Sequence, residues 1–139
     1  MRFFSSPRLG VEISLGVRKY DLAERLINFA DACMNLGEAL PRTFTGKHIA
    51  EQLIRSSTSP ALHYGEAQAA ESSADFIHKM KICLKELRET AVCLKLVEKR
   101  KWYDENELKL ICIENIELIS IFNASITTAL RNKSSRAKS

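Results

Sequence analysis

From Leu22 onward the apolar residues recur at helical spacing. Leu22, Leu26, Phe29, Cys33, Leu36 and Leu40 follow steps of four and three, one apolar seam along a helix. Asp21 is a natural N-cap for it, with Glu24 three residues on in the manner of a capping box. Gly37 and Pro41 are expected to end it, leaving 41–46 as a loop. A second helix is predicted from Lys47 to Ala70, with Ile49, Leu53, Ile54 and Leu62 as its apolar residues. Pro60 lies inside it. Proline removes a backbone donor and crowds the preceding turn, which predicts a kink near Ser57–Ser59 or, alternatively, two shorter helices capped by Ser59.

Ser72 or Ser73 caps a third helix that runs to about Lys101, with the seam Phe76, Met80, Cys83, Leu84, Leu87, Ala91 and Leu94. Asp104 and Glu107 start a fourth, running to about Leu130, with Leu108, Ile111, Cys112, Asn115, Ile119, Phe122 and Ile126 inward. Four helices with short connections predict an all-α, antiparallel up-and-down four-helix bundle over residues 18–130. Residues 1–17 read as a loose arm that Phe3, Phe4 and Leu15 could partly pack, and 131–139 as a disordered basic tail.

Composition agrees with one domain: 139 residues, 45% hydrophobic, with five Gly and three Pro, too few for a turn-rich β fold. No run approaches 18 apolar residues, and the charged first twenty residues lack a signal-peptide core, so a soluble cytoplasmic protein with no membrane association is expected. Cys33, Cys83, Cys93 and Cys112 contain no CxxC pair and sit in apolar contexts, where a reduced thiol behaves as a small hydrophobe. The net charge of +4 comes from the ends, since residues 1–20 carry +3, 131–139 carry +4 and the span between carries −3. The basic balance alone therefore says little about the folded core.

Charge is distributed unevenly on the third helix. Lys81, Lys85, Arg88, Lys95 and Lys99 fall within about 80° of one another, on one flank of the seam. Residues 79–101 carry a net +5 and 104–117 a net −4, so the row is either a solvated flank paired with the acidic fourth helix or a surface that follows nucleic-acid phosphates. No aromatic residue interleaves with the row, which predicts little sequence specificity. Leu110, Ile113, Leu118 and Ile121 lie away from the fourth helix's seam and are expected to form an oligomer interface.

Chemistry is thin. His48, His63 and His78 have no metal-ligand spacing, and Glu86, Glu89, Glu114 and Glu117 lack the Glu-x-x-His partner of a di-metal bundle. No catalytic residue, metal site or cofactor is expected.

The stretch from Gln52 through Arg55-Ser56-Ser57-Thr58-Ser59 and His63-Tyr64-Gly65-Glu66-Ala67, then Asp75-Phe76-Ile77-His78-Lys79 to Lys85-Glu86-Leu87-Arg88-Glu89-Thr90, carries a resemblance. It resembles the bacterial four-helix-bundle family named after proteins encoded in 23S rRNA intervening sequences, which includes the accessory protein of diversity-generating retroelements. The resemblance implies a ring-like homo-oligomer, a pentamer. For the retroelement member it also implies a basic surface that binds structured RNA and a reverse transcriptase. The family's elements fall on Gln52, Arg55, Ser59, Tyr64, Glu66, Asp75 and Phe76, with His63 where relatives carry Asn; these are expected to build the second helix and its contacts. The reading that follows is a non-enzymatic oligomeric scaffold that binds nucleic acid electrostatically. The alternative is a protein-interaction scaffold, for example for a reverse transcriptase, with the basic row paired to the fourth helix.

Overall fold

The computed structural model describes residues 22–138. Four helices follow one another: α1 (Leu22–Ala39), α2 (Phe44–Gln68), α3 (Ser73–Arg100) and α4 (Glu105–Lys138), with four-residue connections at 40–43, 69–72 and 101–104. Such short links force successive helices to run antiparallel. Side chains tie α4 to two neighbours: Arg25 of α1 reaches Glu114 and Glu117, and the buried Asn115 donates to the Leu87 carbonyl of α3 at 3.2 Å. No strand occurs among the described residues. The proposed cap Asp21 and the arm over 1–17 lie outside them.

The seams converge on one core. Leu26, Phe29, Cys33 and Leu36 of α1 meet Leu53 of α2, Met80, Cys83, Leu87 and Leu94 of α3, and Leu108, Ile111, Phe122 and Ile126 of α4. Tyr64 sets its ring edge-on to Phe122 at 6.0 Å, a favourable aromatic arrangement. Caps end the helices as their residue types suggest. Ser72 accepts from the Asp75 amide, Thr43 from the Gly46 amide and Asp104 from the Glu107 amide, while Lys101 closes α3 in the left-handed region at φ 56°.

Several expectations need correction. Gly37 does not end α1; it lies buried inside the helix, where a Cβ would meet the Ile54 side chain at 2.8 Å. Its role is the close approach of α1 and α2. Gly46 is not in a loop either, because Thr43 caps α2 three residues earlier than the apolar pattern suggested. The helix α2 continues through Pro60 as one element, so the two-helix alternative is not adopted. Upstream of the proline, Ser56, Ser57 and Thr58 turn their hydroxyls back onto the carbonyls of Leu53 and Ile54.

The fourth helix also departs from expectation. It runs on through 131–138, where a disordered tail was expected, with 131–137 exposed. No Gly or Pro stops it, and basic residues are favourable near a helix C-terminus. Leu118, expected at an outer interface, is fully buried in the core. Its position, three residues after Asn115 and four before Phe122, puts it on the inward stripe. Finally, α4 is long and apolar enough, by length and composition, to cross a membrane, although no continuous apolar run of 18 residues occurs in it. Its inward face is nonetheless occupied by core partners and its Glu114 and Glu117 by Arg25.

Candidate nucleic-acid interface

The inward face of α3 is set by Ile77, Met80, Cys83, Leu87, Thr90, Leu94 and Val97, all buried. Lys81, Lys85, Arg88, Lys95 and Lys99 are all exposed, on the side turned away from that face. The row is thus opposite the core rather than on its flank. Buried Glu86 and Cys93, which the sequence pattern left outside the seam, show why: the packed face is rotated toward α2.

Steps of 4, 3, 4, 3 and 4 connect residues 81, 85, 88, 92, 95 and 99 into one continuous stripe, whose missing cation is Val92, 59% exposed. At 1.5 Å per residue the stripe is about 27 Å long. Lys81, Lys85, Arg88 and Val92, with Leu84 and Glu89, line a shallow depression along it. Val92 and the neighbouring, exposed Leu96 were missed in the sequence because they interrupt a charge pattern rather than form one.

Within the described residues, Lys85 alone in the row lies within 4 Å of a carboxylate, pairing with Glu89 at 3.6 Å. The expected pairing with α4 does not occur inside one chain. Glu114 and Glu117 are instead taken by Arg25, at 2.7 and 2.8 Å. Among the described residues, the other four cations of the stripe have no carboxylate within 4 Å.

The residues that carried the resemblance have a different task. Arg55 donates to Glu86 at 3.1 Å, to Glu89 at 2.7 Å and to Gln52 at 3.2 Å. The Glu66 carboxylate accepts from Lys79 at 2.9 Å and lies 3.3 Å from His63 Nδ1. The Asp75 backbone amide donates to the capping hydroxyl of Ser72, and Phe76 is half-buried. Ser59 is half-buried on α2. The bonds of Arg55 to Glu86 and Glu89, the Lys79–Glu66 pair and the buried Ser56–Thr90 hydroxyl pair at 2.8 Å fasten α2 to α3. Glu86, which the pattern placed away from the seam, is 7% exposed and held by Arg55. The arginine's hydrogen bond holds the Glu89 carboxyl below its ordinary range, and the Lys79 hydrogen bond does the same for Glu66.

Of the intended interface on α4, Ile113 is exposed, Leu110 and Ile121 are half-buried, and Leu118 is in the core. Ile116, at 65%, is more exposed than Ile113 and lies outside the group that the apolar pattern singles out. The cysteines are free thiols. Burial pushes Cys33 and Cys83 up to about 12, which keeps them protonated at neutral pH. Among the described residues no three His, Cys, Asp or Glu side chains are grouped to hold a metal ion.

A profile of the 23S rRNA-intervening sequence proteins matches residues 18–124. Among solved structures, the chain is similar to a protein of unknown function from the S23 ribosomal protein family of Bacteroides thetaiotaomicron. The two are 28% identical with a TM-score of 0.70, over 76% of this chain and 97% of that one. No curated protein matches the chain. Four antiparallel helices, an α2–α3 junction fastened by the signature residues, and a profile match over most of the length lead to one statement: the chain belongs to the family of 23S rRNA-intervening sequence proteins.

Proposed function

We propose that this protein is a non-enzymatic, homo-oligomeric scaffold that binds structured nucleic acid through the outer stripe of α3. The observation that carries the reading is the exposed row Lys81, Lys85, Arg88, Lys95 and Lys99, with one carboxylate contact among its five cations within the described residues. A straight basic row matches the repeating charge of a phosphate backbone, and neutralising phosphates releases counterions. No aromatic side chain stands in the row to stack a base, so recognition is of shape and charge. Exposed Ile113 and Ile116 supply apolar surface for self-association, and the family resemblance implies five copies. Repetition of one weak stripe raises affinity by multivalency. Basic Arg131, Lys133 and Arg136 on the helical extension of α4 add nonspecific attraction.

The test is binding of duplex RNA and DNA against salt by the wild-type chain and Lys85→Glu/Arg88→Glu, with mass followed by light scattering. Loss of affinity with a shallower salt slope and unchanged mass supports the stripe. Equal binding by the variant at moderate salt rejects it.

A protein partner, such as a reverse transcriptase, is the second reading. Val92 and Leu96, exposed among the cations, favour it, because apolar side chains add nothing to a phosphate contact. Replacing both by Ser should then weaken a protein complex while leaving nucleic-acid binding intact.

A further inference from the structure

The helices of the bundle do not end at one level. Asn115 against Leu87 puts Ser73, the start of α3, near the level of Ala129, and Tyr64 against Phe122 puts Gln68, the end of α2, near Ile126. Arg25 against Glu114 and Glu117 leaves Leu22, the start of α1, near Leu118. Residues 130–138 of α4 therefore run past the other three helices, by about 13 Å. Leu130 and residues 131–137 are all exposed, and no acid occurs in α4 after Glu117. Arg131, Lys133 and Arg136 have no carboxylate within 4 Å among the described residues. A helical stretch this short gains little from its own hydrogen bonds in water, so a neighbour to pack on would stabilise it.

The outer face of α1 has the opposite character. Glu24, Ile27, Asp31, Met34 and Glu38 follow steps of three and four along one exposed stripe, about 21 Å long. None of its three acids has a cation within 4 Å among the described residues. Arg25, the one basic residue of α1, is turned toward α4. Within one chain the two surfaces do not meet, because Arg131 lies about 20 Å beyond Glu24 along the bundle axis.

We propose that the overhang of α4 in one copy lies along the outer stripe of α1 in a second copy. Leu130 then covers apolar surface at Ile27 and Met34. Arg131 and Arg136, about 7.5 Å apart along their helix, reach successive carboxylates spaced about 10.5 Å apart, a difference that two arginine side chains span. Each copy carries one of each surface, so each gives one contact and receives one. This contact rests on the self-association proposed above and names the surfaces that make it.

Two measurements on the full-length chain test this. Benzoylphenylalanine in place of Leu130 is expected on irradiation to join a peptide of α1, at the mass of two chains or more. Asp31→Lys/Glu38→Lys should weaken self-association about tenfold, read by light scattering across a dilution series, because attraction turns to repulsion. Adding Arg131→Glu/Arg136→Glu to that chain swaps both charges and should restore the association. A crosslink at monomer mass, a crosslink to any other helix, or none at all overturns the proposal. So does a mass that the α1 substitutions leave unchanged, or a swap that restores nothing while circular dichroism reports the wild-type helix content. A wild-type chain that is monomeric throughout the series removes the proposed self-association as well, whereas an oligomer without the crosslink removes only this contact. If Arg131→Glu/Arg136→Glu alone keeps the oligomer but loses duplex RNA, the overhang belongs to nucleic acid and the proposal falls.

Discussion

Arg25 holds Glu114 through two parallel bonds, with Nε donating to Oε2 at 3.0 Å and Nη2 to Oε1 at 2.7 Å, and Nη2 reaches Glu117 as well at 2.8 Å. This fork joins α1 to α4, the adjacent pair of helices that meet over the shortest stretch. It also occupies two of the acids of α4, Glu114 and Glu117.

The Arg25–Glu114 pair is largely shielded, with side-chain exposures of 18% and 14%. Arg25→Met should lower stability by about 2 kcal/mol, because it strands a half-buried carboxylate. Glu117→Gln, at an exposed position, should cost about 0.5 kcal/mol or less. Urea denaturation of the single and double Arg25/Glu114 variants reads the coupling, and additive effects would show that the fork contributes nothing specific.

Two glycines should respond differently to alanine. At Gly46 a Cβ would run into the Pro41 carbonyl group, backbone that cannot step aside, so Gly46→Ala should cost about 3 kcal/mol despite alanine's better helix propensity. At Gly37 the obstacle is the outer part of the flexible Ile54 side chain, and the expected cost is about 1 kcal/mol. Ile54→Val should recover part of the second loss and none of the first. Denaturation midpoints decide this.

Acid should loosen the α2–α3 junction. Glu89 and Glu66 are held below their ordinary range by hydrogen bonds from Arg55 and Lys79. A depressed folded pKa means stability present above the unfolded value, near 4.5, and lost as pH falls through the lower folded value. Stability measured from pH 6 down to 3 should therefore fall below about pH 4.5. Glu89→Gln should flatten that fall; an unchanged slope would place the acid-sensitive group elsewhere.

Thiol reactivity should follow burial. Cys33 is fully buried and its thiol is pushed up to about 12 by desolvation, whereas Cys112 is only half-buried and shifted upward less. Under native conditions iodoacetamide should modify Cys112 first and leave Cys33 intact until unfolding. Mass spectrometry of digested, partly alkylated protein gives the order directly, and early loss of Cys33 would contradict the packing.

Periodicity alone was enough to find the elements. Every apolar seam from Leu26 to Ile126 is a local repeat, and the caps Ser72 and Asp104 announce themselves by residue type, because both signals act over a few residues of chain. The signature residues were legible as a motif too, but not as an α2–α3 clasp, since Arg55 and Glu89 are 34 positions apart. The row on α3 was visible as charge. Its freedom from α4 was not, because charge totals do not say which acid an arginine on α1 will capture.

What the sequence determined by itself was therefore four helices, their order and the five cations on one face. The rotation of each helix came only with the tertiary structure. It buried Leu118, exposed Val92 and Ile116, and made Gly37 a contact instead of an end. A helix's own pattern leaves a choice between adjacent apolar stripes tens of degrees apart, and only the neighbours' side chains, by filling one set of gaps and not another, select between them.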